Sequence, residues 1–169
     1  MAKKTKKQAR GGKKKTSKGP GKKPIQDLRE WLARVDEIGE LVRVDKPVDR
    51  DEEMSAISYL VAKQEPSPAV LFERARGFEQ SPIGAQLLWN VLGPSIRRIA
   101  LTLEEPADTP TVELIRRVKD KLKRRMVPRE VSRTKAPVYE NTITGKKIDL
   151  NQLPIPRHWP LDGGRYAGT

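Results

Sequence analysis

The 169-residue chain contains no cysteine and a single histidine, His158. The absence of thiols excludes disulfide scaffolds, zinc–thiolate sites and cysteine nucleophiles. With no second His or Cys to accompany it a zinc site is not expected, and any Ser/His/Asp triad would have to run through His158. No apolar run approaches the roughly 18 residues that a membrane span needs. Residues 1–24 also lack the apolar stretch of a signal peptide, so the expectation is a soluble cytoplasmic protein. Aromatic residues make up 5% of the chain, so those present carry weight. Residues 1–24 contain no acid and no Leu, Ile, Val or Phe.

What the first 24 residues do hold is eleven basic side chains, and these account for most of the formal net charge of +13. The rest of the chain has 24 Lys and Arg against 22 Asp and Glu, about +2. A segment so charged and without apolar anchors cannot offset its ordering entropy, and is read as a disordered basic tail. Two readings of it stand. It is a polyelectrolyte arm for non-specific binding of nucleic acid or another anion by counterion release, or a solubilising extension. The 39 Leu, Ile, Val and Phe all fall in residues 25–169, at about 27% of that stretch, enough for a core.

Leu28, Trp31, Leu32 and Val35 share one helical face, and Gly39 stands where a helix stop is expected, predicting a helix over about 26–37. Glu40–Asp45 reads as a strand. Asp49 or Asp51 can cap a second helix bearing Met54, Ile57, Leu60 and Val61. Ala69–Phe72 is wholly apolar, as in strands buried on both faces, and Ile83–Leu88 suggests a third strand. Gly93-Pro94 opens a helix with Ile96, Ile99, Ala100 and Leu103 inward. Thr109-Pro110 opens another, with Leu114, Ile115, Val118 and Leu122 as its stripe and a basic opposite face that either meets phosphate or is solvated. Val138–Glu140, Thr142–Thr144, a Gly145-Lys146 turn and Ile148–Leu150 suggest a hairpin. The order implies an α/β or α+β fold.

The final stretch, 151–169, is rich in Pro, Gly and aromatics. Trp159 and Tyr166 are unfavourable to leave in water, so further polypeptide is expected to cover them; the alternative is a segment folded back over the first domain. His158 reads as structural. Gly163, Gly164 and Gly168 resemble a phosphate-cradling turn, yet no Gly-Lys-Ser/Thr ending follows. Asp149 and Asp162 lie on turn-like sequence, where capping is the expected role. No complete catalytic set emerges from the residues themselves.

The chain resembles the UbiD family of decarboxylases over about residues 26–169. The resemblance is carried by Leu28-Arg29-Glu30-Trp31-Leu32, by Gly39-Glu40-Leu41-Val42-Arg43-Val44 with Pro47-Val48-Asp49, and by Pro68–Glu73 with Gly77-Phe78. Most specific is Gly145–Pro156 followed by Trp159-Pro160 and Asp162-Gly163-Gly164-Arg165-Tyr166. The resemblance implies a reversible, non-oxidative carboxy-lyase acting on aromatic or α,β-unsaturated carboxylic acids. Its implied cofactor is prenylated FMN, supplied by a flavin prenyltransferase and held through Mn2+ and K+. It further implies a first α/β domain (25–135), after the tail (1–24), leading into the start of a flavin-binding split β-barrel (136–169). In the family the metal ligands and a Glu-Arg-Glu proton network come after the Asp-Gly-Gly-Arg-Tyr stretch. Of the residues in this chain, Thr169 alone matches a flavin-contacting position; no catalytic or metal-binding residue is carried over, and His158 does not match the metal-ligand histidine. The expectation is the N-terminal part of a decarboxylase, inactive alone, that works with a downstream polypeptide or as a homo-oligomer.

Overall fold

The computed structural model describes residues 24–81 and 84–166. The basic tail to residue 23, Ile83, Gly168 and Thr169 lie outside them. The architecture is α/β: a three-stranded sheet with helices on both faces. Its strands are β1 (Leu41–Val44), β2 (Ala69–Phe72) and β3 (Leu87–Trp89). They lie in the order β1-β2-β3, with β1 parallel to β2 and β3 antiparallel to it. The third strand thus begins later than the sequence suggests, and Trp89 pairs with Val70.

The sequence Ala69-Val70-Leu71-Phe72 is buried at all four positions, as its lack of polar alternation predicts. Side chains alternate across a strand, so this central strand feeds two cores. Val70 and Phe72 join Val48, Met54 and Ala75 beneath helix α2 (Glu53–Ala62). Ala69 joins Trp31, Val35 and Leu101 beneath α1 (Leu28–Glu37) and α3 (Ile96–Thr102). Helix α1 starts on Asp27, whose carboxylate accepts from the Glu30 N–H at 2.9 Å. It stops at Gly39, which adopts φ +72°, the left-handed turn that glycine takes without steric cost.

Three expectations need correction. First, α2 is not capped directly by Asp49 or Asp51: Glu52 occupies the cap position with φ 68° and its side chain makes no capping bond. The turn is closed instead by Asp49, whose carboxylate accepts from Asp51 N–H while its carbonyl accepts from Met54 N–H. Second, the helical stripes are narrower than their periodicity implied. Leu60, Ile96, Ile115 and Leu122 are exposed, and α4 (Thr111–Leu122) buries Leu114 alone. Third, no hairpin forms over 138–150. The stretch carries short 3-10 turns at Pro137–Tyr139, Gly145–Lys147 and Leu150–Gln152, and none of it joins the sheet. Among the described residues no helix is long and apolar enough to cross a membrane.

Candidate functional site

Two sequence-distant segments meet where the Pro-rich stretch 153–166 crosses the entrance to α2. Arg157 is at the centre. Its backbone N–H donates to Arg50 carbonyl and its carbonyl accepts from Glu52 N–H, an isolated bridge between Asp51 and Arg157. Its guanidinium reaches Asp51 at 2.6 Å and Glu52 at 2.7 Å. Prolines at 154 and 156 keep the segment extended, which leaves the Arg157 backbone free to pair sideways. Arg50 returns the contact by donating to Leu153 carbonyl at 2.8 Å, while its guanidinium stacks over Phe78 at 4.3 Å. The same carboxylate of Asp51 lies 3.5 Å from Arg165. The hydrogen bond from Arg157 holds the Asp51 carboxyl below its ordinary pKa, and the same bond raises that of Arg157. Burial, then the neighbouring Arg165, lowers that of Arg50.

The aromatics of this segment are partly partnered. His158 lies between Trp89 (centroids 4.9 Å apart) and Tyr166 (4.7 Å), and Trp159 meets Tyr59 edge-on at 5.6 Å. The segment is thus folded back onto α2 and β3, yet Trp159 and Tyr166 stay 50% and 54% exposed. His158 has the structural place expected of it. Asp162 closes its turn by accepting from the His158 and Trp159 N–H groups, and Asp149 does likewise from Asn151 N–H. Sequence reasoning missed the Asp51–Glu52–Arg157 clamp. The signal was four carboxylates within 49–53 and two arginines, Arg157 and Arg165, in a Pro-rich stretch, and the acids were read only as helix capping.

Gly163 and Gly164 face open space: a Cβ at either position would meet nothing within 4 Å. The backbone is therefore accessible where the sequence suggests a close-approach turn. The described residues contain no group of three or more His, Asp or Glu able to hold a metal ion, so Mn2+ does not fit a site built from them. An open groove lined by Arg29, Leu32, Asp36, Arg43, Leu71 and Gln86 lies on the opposite sheet face, under α1, remote from this segment.

The α/β sheet lies in one carboxy-lyase family match, and the Arg157 clamp with its glycine turn lies in a second. Residues 32–118 match the 3-octaprenyl-4-hydroxybenzoate carboxy-lyase N-terminal domain and 129–169 match the Rift-related domain of the same enzymes. The chain belongs to the UbiD family. Among its relatives is a pyrrole-2-carboxylic acid decarboxylase of Pseudomonas aeruginosa, 30% identical over 150 residues that make up 85% of this chain and 29% of the relative. Vanillic acid decarboxylase of Sedimentibacter hydroxybenzoicus in its open form is similar in structure, with TM-score 0.73, 32% identity, and coverage of 85% of this chain and 30% of that one. An evolved dimeric form of the UbiD-class enzyme HmfF from Pelotomaculum thermopropionicum, in complex with prFMN, gives TM-score 0.64 and 29% identity, covering 82% of this chain and 29% of that chain. The chain thus spans about three tenths of the length of these relatives.

Proposed function

We propose that this chain supplies the N-terminal share of a UbiD-type decarboxylase, a reversible and non-oxidative carboxy-lyase for aromatic or α,β-unsaturated carboxylic acids. The observation that carries the reading is the Arg157 clamp. It fixes the segment bearing Asp162-Gly163-Gly164-Arg165-Tyr166 against α2, and this segment lies within the Rift-related match. The proposed division is a basic tail (1–24), an α/β domain (25–135), and the beginning of a split flavin-binding barrel (136–169). Thr169 would contact prenylated FMN in this reading. Prenylated FMN, when bound, would supply a sink for the electron pair released as CO2 leaves. Residues of this chain would help to hold it, while metal ligands and proton-transfer groups would come from polypeptide outside the described residues. The chain alone is inactive.

The test combines residues 1–169 with a polypeptide equivalent to the remaining seven tenths of a relative, together with prenylated FMN, Mn2+ and K+. Carbon dioxide release from pyrrole-2-carboxylate or vanillate is followed. Turnover that needs both polypeptides, with flavin affinity reduced by Thr169→Ala, supports the reading. Flavin-independent behaviour of the pair, with no CO2 from either acid, overturns it.

A further inference from the structure

The near neutrality of residues 25–169 conceals a separation of charge. Residues 116–147 hold twelve Lys and Arg and three Asp and Glu, a net +9, whereas the rest of 25–169 holds twelve against nineteen, a net −7. All twelve cations of this stretch are exposed. Three are neutralised locally: Arg117 and Lys121 pair with Glu105, and Lys123 with Asp120. The other nine, Arg124, Arg125 and Arg129 among them, have no carboxylate partner among the described residues. Beyond α4 the segment is extended between short turns, so successive cations can follow a linear ligand. It also carries a ring for stacking, since Tyr139 is half exposed with the Arg133 guanidinium 4.7 Å above it.

We infer that residues 116–147 form a binding surface for the phosphate backbone of single-stranded nucleic acid. Stacked cations along an accessible backbone, with an aromatic platform among them, are what such ligands need. An acidic polypeptide is the competing ligand, because Met126 and Val127 are also exposed. Nucleic acid is favoured by the eleven cations of residues 1–24, which have no Leu, Ile, Val or Phe beside them to suit a protein interface. Residues 129–147 fall within the Rift-related match, so the inference concerns the surface that this chain exposes by itself.

The test uses the full chain, in parent form and with the eleven tail cations replaced by Gln, titrated with labelled oligouridylate. The tail-neutralised chain is expected to retain binding that weakens about 100-fold between about 50 and 200 mM KCl, as about five phosphate contacts imply. In that background R124E/R125E/R129E, whose exposed sites leave the melting midpoint unchanged, reduces the salt slope by about two. Tyr139→Ala weakens RNA binding at least about fivefold and leaves poly-L-glutamate binding alone. Loss of all binding on tail neutralisation, an indifferent triple variant, or poly-L-glutamate binding as tight as RNA at equal charge would each overturn the inference, the last in favour of an acidic polypeptide.

Discussion

Arg98 and Glu40 form an ion pair at 2.9 Å in which neither side chain reaches solvent beyond 4%. Glu40 leads into β1 and Arg98 sits in α3, so the pair joins the sheet to the helix covering it. The carboxylate is satisfied further by Arg97 at 3.1 Å and by the Ser95 hydroxyl, and the guanidinium donates to Val91 carbonyl. Removing one partner strands a buried charge, a loss typically of about 3–5 kcal/mol. Glu40→Gln is therefore expected to lower unfolding free energy by about 3 kcal/mol in urea titrations. E40L/R98M removes both charges and is expected to recover most of that loss. If E40Q melts like the parent, the pair does not hold α3 in place.

Beside this pair lies a glycine without room for a side chain. At Gly93, φ is +50°, and an added Cβ would stand 2.5 Å from Asn90 Oδ1 and 2.8 Å from Arg98 Nη2. Both atoms belong to anchored side chains, because Asn90 donates to Ser67 Oγ and Pro68 carbonyl while Arg98 is held by Glu40. Gly39 has a similar φ, +72°, but open space around it. Gly93→Ala is expected to cost about 3 kcal/mol and Gly39→Ala about 1 kcal/mol, the latter being the left-handed backbone penalty alone. Equal losses in thermal or urea unfolding would show that crowding at Gly93 is relieved by neighbours.

The sequence made the core legible where local pattern and burial coincide. Ala69–Phe72 had no polar side chain to spare, and Gly39 could only end a helix. It misled where tertiary placement overrode period: Ile115 and Leu122 fit the stripe of α4, but Leu114 and the Glu105 ion pairs hold that helix, and those two apolar side chains face outward. Arg98 lay hidden between Ile96 and Ile99, the two positions that the period marked as inward, because an arginine in a helix reads as surface until its acidic partner, 58 residues away, is known. The hairpin over 138–150 did not form, since two short strands that pack on no third are marginal in water. Of the candidate site, the Asp-Gly-Gly-Arg-Tyr stretch was visible, whereas its anchor at Asp51 and Glu52 was a long-range contact that no local pattern encodes.

That anchor is sensitive to acid. The Arg157 hydrogen bond holds the Asp51 carboxyl below its ordinary value of about 3.9. A carboxyl whose folded pKa is depressed contributes stability above the unfolded value and loses it as pH falls through the folded one. The clamp is therefore complete at neutral pH and loosens below about pH 4. Backbone amide protection at Glu52 and Arg157, whose N–H groups close the bridge, is expected to drop over that range. Asp51→Asn is expected to show severalfold lower protection at neutral pH already. Protection independent of both pH and the substitution would mean that the backbone bridge holds without the side chains.

Helix α4 offers a contrast between a packed and an unpacked position one residue apart. Leu114 is buried, whereas Ile115 is 62% exposed. The helix is further tied by Glu105, which accepts from Arg117 at 2.9 Å and pairs with Lys121 at 2.7 Å. These bonds, that of Lys121 foremost, depress the Glu105 pKa, so their contribution is present above the ordinary glutamate range and lost as pH falls through the depressed value. Leu114→Ala leaves a cavity and is expected to cost about 2–4 kcal/mol. Ile115→Ala should stay within about 0.5 kcal/mol. Glu105→Gln should remove the acid-dependent part of α4 stability while preserving the Leu114 contact. Circular dichroism melts of the three variants at neutral pH and near pH 4 separate these effects. If Leu114→Ala and Ile115→Ala melt alike, α4 is held by its ion pairs and not by its apolar side chain.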